Sequence, residues 1–133
     1  MQTSVAEQLT RVTLYERLGA RAGIEALVDS IVEAHMHNDA IKARFLPYRE
    51  DPERLAELKR HLCAFFAAGT GGPDDYRGRS MSDAHRGMNV SEAEFMAATD
   101  DILTAMERHG HDEAARKDVL AILHSLRAQI VGV

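Results

Sequence analysis

Much is scarce in this 133-residue chain, and each scarcity excludes something. The single cysteine, Cys63, forbids an internal disulfide and the paired-cysteine spacing of a structural zinc site. A lone thiol suits a reducing compartment, so a cytoplasmic location is expected. No apolar run approaches the roughly 20 residues that span a bilayer, so no membrane association is expected. The opening Met1-Gln2-Thr3-Ser4-Val5-Ala6-Glu7-Gln8 is polar and lacks the charged-then-apolar layout of an export signal. Net charge is −5 with histidine neutral, and no basic stretch stands out, which argues against nucleic-acid binding. Tryptophan is absent and aromatic residues make up only 5%, so few large side chains are available to fill a core. Neither strand-like alternation nor an internal repeat is present.

What is there has the helical period. Hydrophobic residues at 45% and charged residues at 28% are those of one ordinary globular domain. Residues 1–12 form a weakly amphipathic N-terminal extension, and residues 13–133 an all-α domain. Thr13-Leu14-Tyr15-Glu16 has capping-box form and opens a short helix that stops at Gly19. From about Ile24 a stronger helix carries Ile24, Leu27, Val28 and Ile31 on one face and ends near Asn38-Asp39. A brief turn from Ile41 to Phe45 is closed by Pro47. Asp51-Pro52 reads as an N-cap followed by a first-turn proline. The helix that follows shows Leu55, Leu58, Leu62, Phe65 and Phe66 on one side and ends around Gly69. Gly71, Gly72, Pro73 and Gly78 make residues 70–80 a loop. Ser91-Glu92-Ala93-Glu94 is a second capping box, opening a helix with Phe95, Ile102 and Met106 inward and Gly110 as its stop. Asp112 caps a last helix that buries Val119, Leu123, Leu126 and Ile130.

Between the long loop and the second capping box lies the run Met81-Ser82-Asp83-Ala84-His85-Arg86-Gly87-Met88. Met81, His85 and Met88 fall at i, i+4 and i+7, which sets the imidazole of His85 inside an apolar stripe. Neutral imidazole is the commonest protein metal ligand, and thioethers pack well on a flat aromatic surface. On this window alone His85 is either a metal ligand or a core histidine. The long loop beside it is a departure that usually has a purpose, and a planar cofactor would supply the apolar bulk that the aromatic-poor core lacks.

Several segments together resemble the group 1 truncated haemoglobins. Thr13-Leu14-Tyr15-Glu16-Arg17-Leu18-Gly19 is similar to that family's opening, and Asn38-Asp39 with Ile41 and Phe45 to the corner after its second helix. Phe65-Phe66, then Gly71-Gly72-Pro73, Tyr76, Gly78-Arg79, Met81 and Ala84-His85, resemble its most distinctive stretch. The likeness runs from about Thr13 to Val131. It implies a two-over-two helical sandwich around one haem b, with His85 as the proximal iron ligand. Phe45, Phe65, Met81, Met88 and Phe95 would pack on the macrocycle. Tyr76 and Arg79 would meet the haem propionates, where a guanidinium makes charge-assisted pairs; the alternative for Arg79 is a solvated loop charge. The partners implied are the diatomic gases O2, NO and CO and a possible reductase, and a monomer is expected.

The distal side departs from the family pattern. Where the family places a tyrosine late in the second helix, this chain has Val32. Where a glutamine is common above the iron, it has Leu58 and Leu62. Donors of that kind retain dioxygen, so their loss predicts weaker oxygen holding and easier oxidation of the iron, and it weakens the family's nitric-oxide dioxygenation role. His61 is the polar group left on this face. In some cyanobacterial members a histidine at the matching place closes onto the iron, so the resemblance implies a hexacoordinate bis-histidyl haem with His61 and His85 as ligands. The alternative is an imidazole swung toward solvent or a propionate.

Three functions compete. One is a haem protein that binds diatomic ligands and detoxifies reactive nitrogen or oxygen species. The second is an electron carrier or redox sensor with bis-histidyl iron. The third is a helical interaction domain without cofactor, in which His85 is a core residue. The pairs His35/His37 and His109/His111 have i, i+2 spacing, which keeps both rings off one helix face. They are expected at helix ends, on the surface or capping. His124 is expected at a core edge, and Cys63 in buried packing.

Overall fold

In the computed structural model, residues 12–73 and 79–133 are described. Thr13 caps α1 (Leu14–Arg17), its Oγ1 accepting from the Glu16 N–H at 3.1 Å. The chain turns at once through Gly19, whose φ of 95° lies in the left-handed region. Gly23 completes this corner, because a Cβ there would meet the Leu18 carbonyl oxygen at 2.0 Å. The second helix, α2 (Ala20–His37), therefore begins before the Ile24 expected from periodicity. Its inward face is Ile24, Leu27, Val28, Ile31, Val32, His35 and Met36.

Next comes α3 (Lys42–Phe45), which continues into a 3-10 turn over Leu46–Glu50. Pro47 thus sits inside a helical turn instead of closing one. Its fixed φ and missing N–H are both tolerated in the first turn. Asp51 caps α4 (Pro52–Gly69) by accepting from the Arg54 N–H at 3.2 Å. The short α5 (Met81–His85) is capped by Ser80, which accepts from the Asp83 N–H at 3.1 Å. In α6 (Glu92–Arg108) both bonds of the Ser91–Glu94 capping box are present. Asp112 caps α7 (Glu113–Ile130), accepting from the Ala115 N–H at 2.8 Å.

Two helix pairs make the body: α2 against α4, and α6 against α7, joined by α2 on α6. The small α5 leans on α7. Leu18, Ile24, Leu27, Val28, Val32 and Met106 are fully buried between the layers. At roughly 1.5–3 kcal/mol for each large side chain, this cluster is the main source of stability. The far end of α7 is less covered than its pattern implied. Val119 is buried, but Leu123, Leu126 and Ile130 are half-buried and His124 is exposed. Beyond α7, Val131 forms an isolated parallel bridge with Val90, and the described residues contain no strand. Among the described residues no helix is long and apolar enough to cross a membrane.

Candidate functional site

His85 ends α5, and its Nδ1 lies 2.8 Å from the carbonyl oxygen of Met81, one turn earlier. A carbonyl only accepts, so Nδ1 must carry the proton and donate. With Nδ1 engaged in that bond, Nε2 is the ring nitrogen left to meet a metal, and the neutral form of the ring is the tautomer suited to it. His85 is half-buried, so its ring is reachable.

The apolar residues named from the sequence differ in how far they are buried. Phe95 is buried at the start of α6. Phe45 and Leu62 are half-buried and pack on the core cluster. Leu58, Phe65 and Met81 are half-buried, and Met88 is exposed. No residue of α4 is fully buried, although Leu55, Leu58, Leu62, Phe65 and Phe66 share one side of it. An 18-residue helix with such a face, only half covered by the described residues, fits a flat apolar group the size of a haem. Val32 is buried in the core, so its position offers no hydroxyl.

The polar candidates divide. Arg79 is exposed just before the Ser80 cap. Tyr76 lies outside the described residues. The side chain of His61 is 54% exposed, with Nε2 4.0 Å from Glu57 Oε1 on the same face of α4. That is the swung-out rotamer, with the imidazole beside a carboxylate.

The expectation that His35 is a surface or capping residue is overturned. Its Nδ1 lies 2.7 Å from Asp101 Oδ2 on α6, it is buried, and its ring packs at a tilt of 43° against Phe45, 4.8 Å between centroids. Asn38 Nδ2 donates to the same carboxylate oxygen at 3.1 Å. Burial pushes the His35 pKa down, against the pull of Asp101, so the ring is a neutral donor. The signal was present in the sequence: Ile24, Val28, Ile31 and His35 are spaced as one helical face. His37 and His109 do lie outside the core, bonding Glu33 at 2.7 Å and Ser30 at 2.8 Å respectively.

Arg44, which no local pattern marked, reaches across to the loop after His85. Its Nε and Nη2 donate to the two oxygens of Glu94 at 2.5 and 3.2 Å, and Nη2 also donates to the Met88 carbonyl at 3.0 Å. Cys63 is half-buried beside an open cleft of about 560 Å3 between α2 and α4, which includes none of the residues named for the haem. Burial raises its thiol pKa, and the side chain packs against the core cluster.

Two helix pairs, a short helix ending in a half-buried histidine and a long helix whose apolar side is only half covered are the features of a globin of the shortened, two-over-two kind. The comparison with known proteins agrees. The family described as Bacterial-like globin matches residues 13–131. The group 1 truncated haemoglobin GlbN of Synechocystis is 30% identical over 114 residues, covering 83% of this chain and 88% of that protein. Among solved structures, the truncated haemoglobin of Tetrahymena pyriformis in its Fe(III) form superposes with a TM-score of 0.84 at 23% identity, covering 92% of this chain and all of that one. A 2/2 haemoglobin from Synechococcus, solved with covalently attached haem, superposes at 0.77 with 21% identity, covering 89% of this chain and 95% of that one. The chain belongs to the bacterial-like globin family and, within it, to the group 1 truncated haemoglobins, which carry haem iron and bind diatomic ligands.

Proposed function

We propose that this chain binds O2, NO or CO at a haem b iron held by His85, with His61 as a displaceable internal ligand, and that it acts against reactive nitrogen or oxygen species. One observation carries the reading: the His85 Nδ1–H bond to the Met81 carbonyl, which occupies Nδ1 and leaves Nε2 as the nitrogen available to a metal. A bound haem iron supplies a coordination position for a small gas and a one-electron couple.

This chain's residues supply the rest. Phe45, Phe65, Met81, Met88 and Phe95 cover the faces and edges of the ring, and Tyr76 and Arg79 pair with its carboxylates. Val32, Leu58 and Leu62 keep the ligand side dry and offer it no hydrogen-bond donor. With no gas present His61 would turn from Glu57 to serve as the internal ligand, a rotation open to a side chain that is half in solvent. A gas must displace it, so apparent affinity falls by the fraction of molecules in the open state. A reductase would keep the protein reduced, and the expected working form is a cytoplasmic monomer.

Haem titration tests the assignment of His85. The wild-type chain should take up one haem, whereas His85→Ala should retain it poorly. Equal retention by the two would overturn the proximal role.

The donor-free wall of Val32, Leu58 and Leu62 favours a second reading, electron transfer or redox sensing. Mixing the reduced protein with carbon monoxide separates the two. Fast binding supports gas chemistry, and very slow binding with ready redox cycling supports the alternative.

A further inference from the structure

The loop that follows His85 is tied down from two sides by groups far away in the chain. On one side, Gly87 N–H and Asn89 N–H both donate to the Val133 carbonyl, at 3.2 and 3.3 Å, and Gly132 N–H donates to the Val90 carbonyl at 2.9 Å. On the other, Arg44 donates to the Met88 carbonyl at 3.0 Å. Met88 N–H in turn donates to the His85 carbonyl at 3.0 Å. The Arg44 fork is anchored on the opposite side by Glu94, whose Oε1 also accepts the Ser91 N–H at 3.2 Å and is thereby fixed at the start of α6. A bidentate guanidinium–carboxylate pair holds direction as well as distance.

Arg44 is also the chain neighbour of Phe45, whose ring is held from behind by His35. A continuous path therefore runs from the Phe45 wall through Arg44 and the Met88 peptide to the backbone of His85. We propose that Arg44 is a positioning residue of the haem pocket, coupling the Phe45 wall to the His85 loop and so setting the orientation of the proximal imidazole from the far side of the pocket. This rests on the haem reading given above. The low pKa of Glu94 keeps the clamp charged across the neutral range.

The test is proton NMR of the haem-loaded ferric protein with cyanide bound, since cyanide would fill the exchangeable coordination position whether or not His61 is a ligand. The paramagnetic shifts of the haem methyls report the plane of the proximal imidazole. In Arg44→Met these shifts should move well beyond their linewidths, and haem transfer to apomyoglobin should speed up several-fold. Arg44→Lys keeps the charge and folds readily but cannot span carboxylate and carbonyl together, so its methyl shifts should move the same way by a smaller amount. Wild-type methyl shifts in both variants, with only a lower melting temperature, would make Arg44 a plain structural brace and overturn the proposal. Methyl shifts unchanged in Arg44→Lys, with Arg44→Met unfolded, would count against it equally. A wild-type protein that takes up no haem would overturn the haem reading itself.

Discussion

His85 is oriented by a bond within its own five-residue helix, and His35 owes its neutrality to the opposite circumstance, deep burial against another helix. The two histidines show how one side chain takes different work from its surroundings. For His35 the folded pKa lies below the ordinary imidazole value of about 6.5, so the unfolded chain binds the proton more readily. Its contribution to stability is therefore full above that value and is lost as pH falls through the lower folded value. His35→Leu removes the donor to Asp101 and should destabilise the protein by about 1–3 kcal/mol near pH 7. The urea midpoint measures this, and the gap to wild type should narrow in acid. An unchanged midpoint would mean that the bond contributes nothing. His35 was legible as an inward position, since it continues the Ile24–Val28–Ile31 face, but its partner lies 66 residues away and no local pattern names it.

Helix ends were the most legible feature, because a cap needs only its own first turn. Thr13, Asp51, Ser91 and Asp112 each accept from the backbone N–H three residues on, as their sequence contexts predict. The Arg44–Glu94 clamp joins elements 50 residues apart and left no local trace. Its pH behaviour follows from Glu94, whose pKa is drawn down to about 2, first by Arg44 and then by the Ser91 backbone. A depressed carboxyl stabilises the fold above the ordinary glutamate value of about 4.3, and that stability is lost as pH falls toward 2. With the Arg44 side chain 31% and the Glu94 side chain 22% exposed, solvent screens the pair, so the effect is modest, about 1 kcal/mol or less. Glu94→Gln should therefore lower the melting temperature by a constant amount from neutral pH down to about pH 5, with the difference closing in stronger acid. A gap that persists at about pH 2 would place the origin of the effect elsewhere.

Across the whole chain, helical periodicity foretold the all-α architecture and the α2 and α6 faces, because those residues pack against protein. It overestimated the burial of Leu123, Leu126 and Ile130, where α7 runs past its neighbours. Along α4 the apolar side is present but only half covered, a mismatch between pattern and burial for which the proposed haem would account. His85 could be singled out from its methionine-flanked spacing, whereas its tautomer required the Met81 carbonyl to be seen in place. His61 has the same double character: its position fits a ligand, and its observed rotamer rests beside Glu57. The account requires both histidines to meet the iron when no gas is present. Its most direct test is the visible absorption spectrum of the haem-loaded protein, reduced, near neutral pH and without added ligand. A low-spin six-coordinate spectrum that becomes high-spin and five-coordinate in His61→Leu is the predicted result. A high-spin five-coordinate wild-type spectrum, or one unchanged by that substitution, would contradict it.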